Sequence, residues 1–106
     1  MDKKDVRILV VDDEPTMADS LKQNLVEEDY SVDTAATGTE AIELFSQGGH
    51  QVVICDLQLP DMDGLEVMRF IKDARPTTEV IVVTGGLISA VIIGLALLHP
   101  GVRGID

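Results

Sequence analysis

Three runs of β-branched and other apolar residues along this chain each end in a side chain that carries oxygen. Asp12 and Asp13 follow I-L-V-V, Asp56 follows Q-V-V-I-C, and Thr84 follows V-I-V-V. Short apolar runs of this kind are typical of buried parallel strands. Because the strands of one parallel sheet all point the same way, the residues at their carboxyl ends gather along one edge, where open α/β sheets bind ligands. Three carboxylates and a hydroxyl at that edge predict a site for a hard cation and a phosphoryl group.

Helical patterns alternate with these strands at regular intervals and with short connections. An apolar face begins after Pro15, two further helical stretches follow, and a Gly-Gly pair ends the second helix. Such alternation indicates parallel strands with right-handed crossovers and helices on both faces of the sheet. The 106 residues suit one domain. We predict strands at residues 6–11, 31–35, 52–56 and 80–84, and helices from 15 onward, at 39–47 and at 65–74.

Charge and cysteine content restrict the setting in which this chain works. A net charge of −11 disfavours both nucleic acid and an anionic membrane surface as partners. The alternative explanation of the net negative charge is that an acidic surface keeps a protein soluble. Cys55, the single cysteine, lies within an apolar strand, where it is predicted to be a small buried filler. No secretory signal opens the chain, so we expect a cytoplasmic protein.

The last quarter of the chain departs from this pattern. Residues 81–106 contain only two charged residues, and residues 87–98 read L-I-S-A-V-I-I-G-L-A-L-L. Twelve residues are too few to span a bilayer. This segment is therefore buried in the domain, buried in a partner, or out of keeping with the rest of the protein. We predict self-association through residues 87–98, by chain exchange or across an interface. Residues 101–106 fit a short last strand that no helix follows.

The acidic residues predict a divalent cation site. Mg²⁺ typically takes one or two carboxylates together with waters and phosphate oxygens. We predict that Asp13 and Asp56 ligate the cation directly, that Asp12 holds a metal-bound water, and that the backbone carbonyl of Gln58 completes the shell. The alternative for the acidic pair is a helix N-terminus, where acids favour the dipole and cap free N–H groups. That alternative does not account for Asp56.

Asp56 is the candidate nucleophile, since a carboxylate can accept a phosphoryl group as an aspartyl phosphate. The Thr84 hydroxyl is placed to hydrogen-bond that group, and the alternative is an ordinary threonine at a strand end. Asp61 and Asp63, in the loop after Asp56, are predicted to cap the next helix, and Gly64 to supply backbone angles that other residues avoid. His50 and His99 have no partner at ligand spacing and are assigned to solvated turns.

Three motifs in this order, I-L-V-V-D-D-E-P, V-V-I-C-D-L-Q-L-P-D-M-D-G and V-I-V-V-T-G, resemble the receiver domain of bacterial two-component response regulators. The resemblance covers about residues 6–85 and implies a flavodoxin-like (βα)₅ sheet in strand order 2-1-3-4-5. It implies that Asp56 takes phosphate from a histidine of a sensor histidine kinase or phosphotransfer protein, with Mg²⁺ or Mn²⁺. Asp12 and Asp13 match the family's acidic pair, and Thr84 its switch hydroxyl. It also implies a phosphoacceptor that assists its own phosphotransfer and dephosphorylation, not an enzyme acting on a separate substrate.

The sequence lacks two features that receivers usually carry in the fifth strand. No lysine follows Lys72, and no aromatic residue follows Phe70. Arg103 is the only late Lys or Arg, and its guanidinium does not replace an ammonium group. The last strand–helix unit is thus expected to be altered or missing. The alternative function is that of a degenerate receiver, which acts as a phosphorylation-independent interaction or dimerisation module.

Overall fold

A computed structural model describes residues 3–84 and 87–88, and its centre is a sheet in the order β2-β1-β3-β4-β5. The first four strands pair in parallel, and strands and helices alternate along the chain, which confirms the predicted α/β class. A short 3₁₀ turn at Lys3–Asp5 precedes the sheet. The elements are β1 Arg7–Val11, α1 Pro15–Glu27, β2 Ser31–Ala35, α2 Gly38–Gly48, β3 Val52–Asp56, α3 Gly64–Ala74, β4 Glu79–Thr84 and β5 Leu87–Ile88.

The central strands are apolar on both faces because helices cover both. Within β1, Leu9 and Val11 belong to the cluster beneath α2 and α3, whereas Ile8 and Val10 belong to the cluster beneath α1. All four side chains are buried. Successive residues of a strand point to opposite faces, so an uninterrupted apolar run is required where both faces are covered. This explains why the strand sequences read as continuous apolar runs without alternation.

The helix ends follow from local chemistry. Pro15 occupies the first turn of α1, where its missing N–H costs nothing. The Thr37 side chain accepts a hydrogen bond from the Glu40 N–H and caps α2. At the other end of α2, Gly49 adopts a left-handed conformation with φ 57°, so the predicted glycine stop is confirmed.

The fifth strand differs from the family pattern of a parallel fifth strand. Among the described residues, β4 is flanked on its outer side by β5 alone, a two-residue strand that runs antiparallel and pairs Val83 with Ile88 and Thr84 with Leu87. The physical reason is the connection, since two intervening residues allow only antiparallel pairing and a parallel neighbour needs a long crossover. Residues 89–98 of the predicted apolar segment, His99 and the predicted strand at 101–106 lie outside the described residues.

His50 is not in a solvated turn, so that prediction was wrong. Its side chain is fully buried, its Nε2 lies 2.7 Å from the Asp33 Oδ2 atom, and its ring stacks on Phe45. The Thr78 hydroxyl donates to its backbone carbonyl at 2.9 Å. Within the described part of the chain, Nδ1 has no hydrogen-bond partner. Asp33 lies in β2 and Thr78 lies directly before β4, far from His50 along the chain, which explains why sequence spacing around His50 did not reveal them.

Lys72 is also buried, at the edge of the sheet where the strands begin. Its Nζ atom donates to the carbonyls of Pro76 and Thr78, at 2.9 and 2.6 Å, directly before β4. A buried ammonium group needs such acceptors to offset the loss of water. Lys72 therefore fixes the α3–β4 connection.

None of the described helices is both long enough and apolar enough to cross a lipid bilayer.

The Asp33–His50 contact should make stability depend on pH. The hydrogen bond from His50 is the main cause that lowers the pKa of Asp33 below its ordinary value of 3.8. Ionised Asp33 therefore stabilises the fold above about pH 4, and this contribution is lost as the pH falls through the folded-state pKa. We expect Asp33→Asn to reduce the free energy of unfolding by about 1 kcal/mol near neutral pH, since the carboxylate is partly exposed.

Urea unfolding near pH 7 and near pH 3 would measure this difference. The gap between the wild type and Asp33→Asn should shrink at the lower pH. Glu43→Gln removes an exposed acid from α2 and should show little effect at either pH. An equal gap at both pH values would contradict the assignment.

Candidate functional site

Asp12, Asp13 and Asp56 meet at the carboxyl edge of the sheet. Asp12 and Asp13 follow β1, and Asp56 is the last residue of the neighbouring strand β3. One carboxylate oxygen from each residue lies within 4.8 Å of the others. The register pairs Val11 with Cys55, so the residues one step further along each strand also lie side by side. The Asp12 N–H donates to the Ala35 carbonyl at 3.0 Å and holds the acidic pair at the strand end.

Asp12 is the buried member of this cluster, whereas Asp13 is exposed and Asp56 is half-buried. Burial is the main cause that raises the pKa of Asp12 above its ordinary value, and the nearby charges of Asp56 and Asp13 raise it further. The Asp12 Oδ1 atom also accepts a hydrogen bond from the Glu14 N–H at 2.9 Å. Asp12 thus satisfies one backbone donor at the start of α1, as the helix-terminus alternative expects, and also faces the other two acids.

A divalent cation fits this donor set. Three carboxylate oxygens are hard ligands, and their mutual repulsion favours a site that binds positive charge. The assigned roles of Asp12, Asp13 and Asp56, and of the Gln58 carbonyl, stay predictions.

The Asp56 side chain is oriented by the loop that follows it. Its Oδ1 atom accepts a hydrogen bond from the Gln58 N–H at 3.1 Å. Gln58 in turn forms an antiparallel bridge with Asp63, which closes residues 58–63 into a compact loop. On the other side of the strand end, the Leu57 N–H donates to the Val83 carbonyl at 3.4 Å. Both flanks of Asp56 are therefore held by backbone contacts.

Gly64 is required by space and not by its backbone angles, which corrects the prediction made for it. Among the described glycines only Gly49 has a positive φ. A Cβ atom on Gly64 would collide with the Asp56 carbonyl oxygen and would lie 2.8 Å from the Leu57 Cα atom. The Gly64 N–H donates to the Leu57 carbonyl at 2.9 Å. The first turn of α3 thus packs directly against the end of β3.

Asp61 and Asp63 cap two different helices. Asp63 caps α3 and accepts from the Leu65 N–H, as predicted. Asp61 instead faces the preceding helix, where it accepts hydrogen bonds from the Gly38 and Thr39 N–H groups of α2, so its predicted role at the next helix was wrong. Both residues lie in a loop that passes between two helix N-termini, and the sequence does not show which terminus each one faces.

Thr84 ends β4, and its backbone pairs with Leu87 of β5. Its neighbour Val83 lies opposite Asp56 in the β3–β4 register, which places the backbone of Thr84 at the acidic edge. Its role as a switch hydroxyl stays a prediction. Lys72 does not supply the missing ammonium group, because it is bound to carbonyls at the opposite edge.

Cys55 precedes the candidate nucleophile and is fully buried, which confirms its predicted role as a core residue. Burial, followed by the charges of Asp56, Asp12 and Asp63, raises the pKa of the Cys55 thiol to about 12. A thiol in this state is a poor nucleophile. The Cys55 thiol is therefore not a candidate nucleophile at this edge.

Comparison with known proteins agrees with this geometry. The sequence matches the response regulator receiver domain family over residues 8–96. This chain belongs to the response regulator receiver domain family. Receiver domains are signalling modules of two-component systems and not enzymes, as the motifs predicted.

Relatives of this receiver domain include transcriptional regulators and solved receiver structures. It is 41% identical over 91 residues to the transcriptional regulatory protein TcrA of Mycobacterium tuberculosis, an alignment that covers 85% of this chain and 36% of TcrA. The chain spans about a third of the length of these curated relatives. A receiver domain protein of Methanospirillum hungatei has 34% identity and a TM-score of 0.78, with 93% of this chain and 78% of that one covered.

One solved relative contains a cation. The response regulator TrrA of Thermotoga maritima was solved in complex with Mg²⁺ and BeF. It has 43% identity to this receiver domain and a TM-score of 0.71, with 74% of this chain and 69% of TrrA covered.

Burial of Asp12, together with repulsion within the acidic cluster, predicts that Asp12→Asn stabilises this receiver domain when no divalent cation is present. A raised folded-state pKa means that ionised Asp12 costs stability above that pKa, and that the cost disappears as the pH falls through it. The amide keeps the oxygen that accepts from Glu14. We expect a gain in the free energy of unfolding of about 1 kcal/mol near neutral pH in EDTA.

Mg²⁺ should reverse this order, because it stabilises the folded wild type by binding and should bind Asp12→Asn more weakly. Thermal unfolding with EDTA and with Mg²⁺ measures both effects. Asp19→Asn, an exposed change on α1 away from the cluster, should respond to Mg²⁺ like the wild type. If the wild type were the more stable protein in EDTA, burial and repulsion would not destabilise ionised Asp12.

Proposed function

We propose that this receiver domain is a phosphorylation-dependent signalling switch of a two-component phosphorelay, in which Asp56 accepts a phosphoryl group from a sensor histidine kinase or histidine phosphotransfer protein. The observation that carries the proposal is the convergence of Asp12, Asp13 and Asp56 within 4.8 Å at the edge of a receiver fold. The structure of the relative TrrA in complex with Mg²⁺ supports a divalent cation as a ligand of this chain.

In this proposal Asp56 acts as the nucleophile. Its Oδ1 atom is engaged by the Gln58 N–H, which leaves Oδ2 to react. A bond forms between this oxygen and phosphorus as the bond between phosphorus and the donor imidazole nitrogen breaks, and the imidazole leaves with its electron pair. The product is an aspartyl phosphate. The chain's main contribution is to position the carboxylate, as in other phosphoryl transfers.

The acidic neighbours would hold a divalent cation, Mg²⁺ or Mn²⁺. Asp13 and Asp56 are the proposed direct ligands together with the Gln58 carbonyl, and Asp12 is the proposed acceptor for a bound water. Phosphorylation converts the Asp56 carboxylate into an acyl phosphate that carries nearly two negative charges, beside the carboxylates of Asp12 and Asp13. The bound cation supplies the opposing positive charge. The Thr84 hydroxyl is the proposed donor to the phosphoryl oxygens, which would link phosphorylation to the end of β4.

Phosphorylation should therefore depend on Asp56 and on the cation. Incubation of the purified protein with acetyl phosphate and Mg²⁺ should add the mass of one phosphoryl group, and EDTA should prevent this. Asp56→Asn keeps the oxygen that accepts from Gln58 but cannot form an acyl phosphate, so we expect no mass gain. Mass spectrometry of the intact protein gives the measurement.

Asp63→Asn is the matched control, because it changes a carboxylate of the same loop that caps α3 and is not part of the acidic cluster. It should still be phosphorylated. The proposal fails if the wild type binds Mg²⁺ but gains no mass, or if Asp56→Asn gains mass as the wild type does.

A second candidate function is phosphorylation-independent assembly through residues 87–98. It is favoured by the sequence of this segment, which has twelve residues without a charge. Large contiguous apolar segments mark interfaces or aggregation-prone surfaces. In this proposal two copies associate through the segment, either across an interface or by exchange of the C-terminal part.

Light scattering over a range of protein concentrations tests this assembly. We expect association in the wild type and its loss in Ile92→Asp, because a buried unpaired carboxylate is costly. Phe70→Asp is the control, since Phe70 is an exposed apolar residue on α3, and it should associate like the wild type. A wild type that stays monomeric at high concentration excludes this function.

A further inference from the structure

Asp61 connects the loop beside Asp56 to helix α2 through three hydrogen bonds. Its Oδ1 atom accepts from the Gly38 N–H at 2.8 Å. Its Oδ2 atom accepts from the Thr39 N–H at 2.9 Å and from the Thr39 hydroxyl at 2.6 Å. The first N–H groups of a helix have no partner within the helix, so a carboxylate is a strong acceptor for them. We call these three bonds the Asp61 clamp.

The strength of the clamp is reflected in the titration of Asp61. The hydrogen bond from the Thr39 hydroxyl is the main cause that lowers its pKa to about 2, and the two backbone donors lower it further. Asp61 is an exposed residue, so these contacts and not burial account for the shift. The carboxylate is ionised at any pH at which the domain works.

A second contact joins the loop to α2 beside the clamp. Met62 packs so closely on Gly38 that a Cβ atom there would lie 2.6 Å from the Met62 sulfur. Thr37, the residue before α2, caps the helix independently by accepting from the Glu40 N–H at 3.1 Å. Helix α2 therefore does not need Asp61 to begin where it does. The clamp instead restrains the loop between Asp56 and Gly64.

The loop between Asp56 and Gly64 is short, and its contacts are linked. Gln58 contacts Asp56 through its N–H and contacts Asp63 through the bridge, and Asp61 lies between these two attachments. In the proposed function the Gln58 carbonyl is a ligand of the cation, and a backbone ligand stays in place only while its loop keeps its shape. Residues that hold the ligands of a metal in place commonly change metal affinity by a factor of ten or more when they are replaced.

We propose that Asp61 is a positioning residue for the phosphoacceptor site, which holds the Gln58 backbone and the Asp56 carboxylate in place by fastening their loop to the N-terminus of α2. This inference rests on the proposed function, because the site that Asp61 would position is the proposed cation and phosphoryl site. It gives helix α2 an indirect role in that site. Asp61 is not one of the three acids of the cluster, and the three bonds of the clamp run to α2. In this proposal it acts through the loop.

Two variants remove the clamp in different ways. Asp61→Asn removes the charge and weakens all three bonds, and we expect the dissociation constant for Mg²⁺ to rise about tenfold. Thr39→Val removes only the bond from the hydroxyl and changes no charge, and we expect a rise of about threefold. Thr39→Ser keeps the hydroxyl and should behave like the wild type. Mg²⁺ binding is measured by calorimetric titration of the full chain.

The control for charge alone is Glu43→Gln, which neutralises an exposed acid on α2 that takes no part in the Asp61 clamp. It should leave Mg²⁺ affinity nearly unchanged. The double variant Asp61→Asn with Thr39→Val should lose no more affinity than Asp61→Asn alone, because both substitutions break the same contact.

A second measurement needs no cation. Hydrogen exchange of the metal-free protein reports on the Gln58 and Gly64 N–H groups, which are bonded to Asp56 Oδ1 and to the Leu57 carbonyl. Both should exchange faster in Asp61→Asn and Thr39→Val, while the amides of β1 should keep the wild-type rate. A change confined to the loop separates positioning from a general loss of stability.

The possible results distinguish a failure of this inference from a failure of the proposed function. If the wild type neither binds Mg²⁺ nor takes a phosphoryl group from acetyl phosphate, the proposed function fails and the inference fails with it. If the wild type does both, but Asp61→Asn and Thr39→Val match Glu43→Gln in affinity and loop exchange, the inference alone is overturned. If affinity falls in Asp61→Asn but not in Thr39→Val, the effect is one of charge, which also overturns positioning.

Discussion

Repulsion among three carboxylates at the end of a parallel sheet is the constraint on which the site depends. The acids cannot move apart, because they continue the adjacent strands β1 and β3, whose backbones are hydrogen-bonded in a fixed register. Asp12 is buried away from water, and this burial, together with the neighbouring charges, raises its pKa. Strand pairing and burial of the apolar core thus hold together a group of charges that would otherwise separate. The repulsion among these carboxylates favours the binding of a cation at the carboxyl edge of the sheet.

Support for this edge comes from elements that do not belong to it. Gly64 lets α3 approach the end of β3 so closely that no side chain fits between them, and Asp61 fastens the intervening loop to α2. At the opposite edge, Lys72 and His50 fix the connections from which β4 and β3 begin. The contacts that support this edge therefore extend through α2 and α3, the two helices of one face of the sheet.

Much of this arrangement could be predicted from the sequence, and the parts that could not have physical reasons. The strands and helices follow from apolar periodicity, and the meeting of Asp12, Asp13 and Asp56 follows from the rule that parallel strands end at one edge. Partners distant along the chain were not predictable, because local spacing does not encode them. His50 meets Asp33 across 17 residues, and Asp61 meets Thr39 across 22. The antiparallel β5 was missed because its two residues belong to a longer apolar run that does not alternate.

Cys55 gives the strand that ends in Asp56 an internal chemical reporter. The chain has no other cysteine, and this thiol is fully enclosed beneath α2 and α3. Its raised pKa keeps it protonated, so an alkylating reagent has neither access nor a thiolate to attack while the sheet is intact. Labelling therefore proceeds through transiently opened molecules, and its rate measures how often β3 separates from its helices. The rate at which Cys55 is modified thus measures the rigidity of β3, the strand that ends in Asp56.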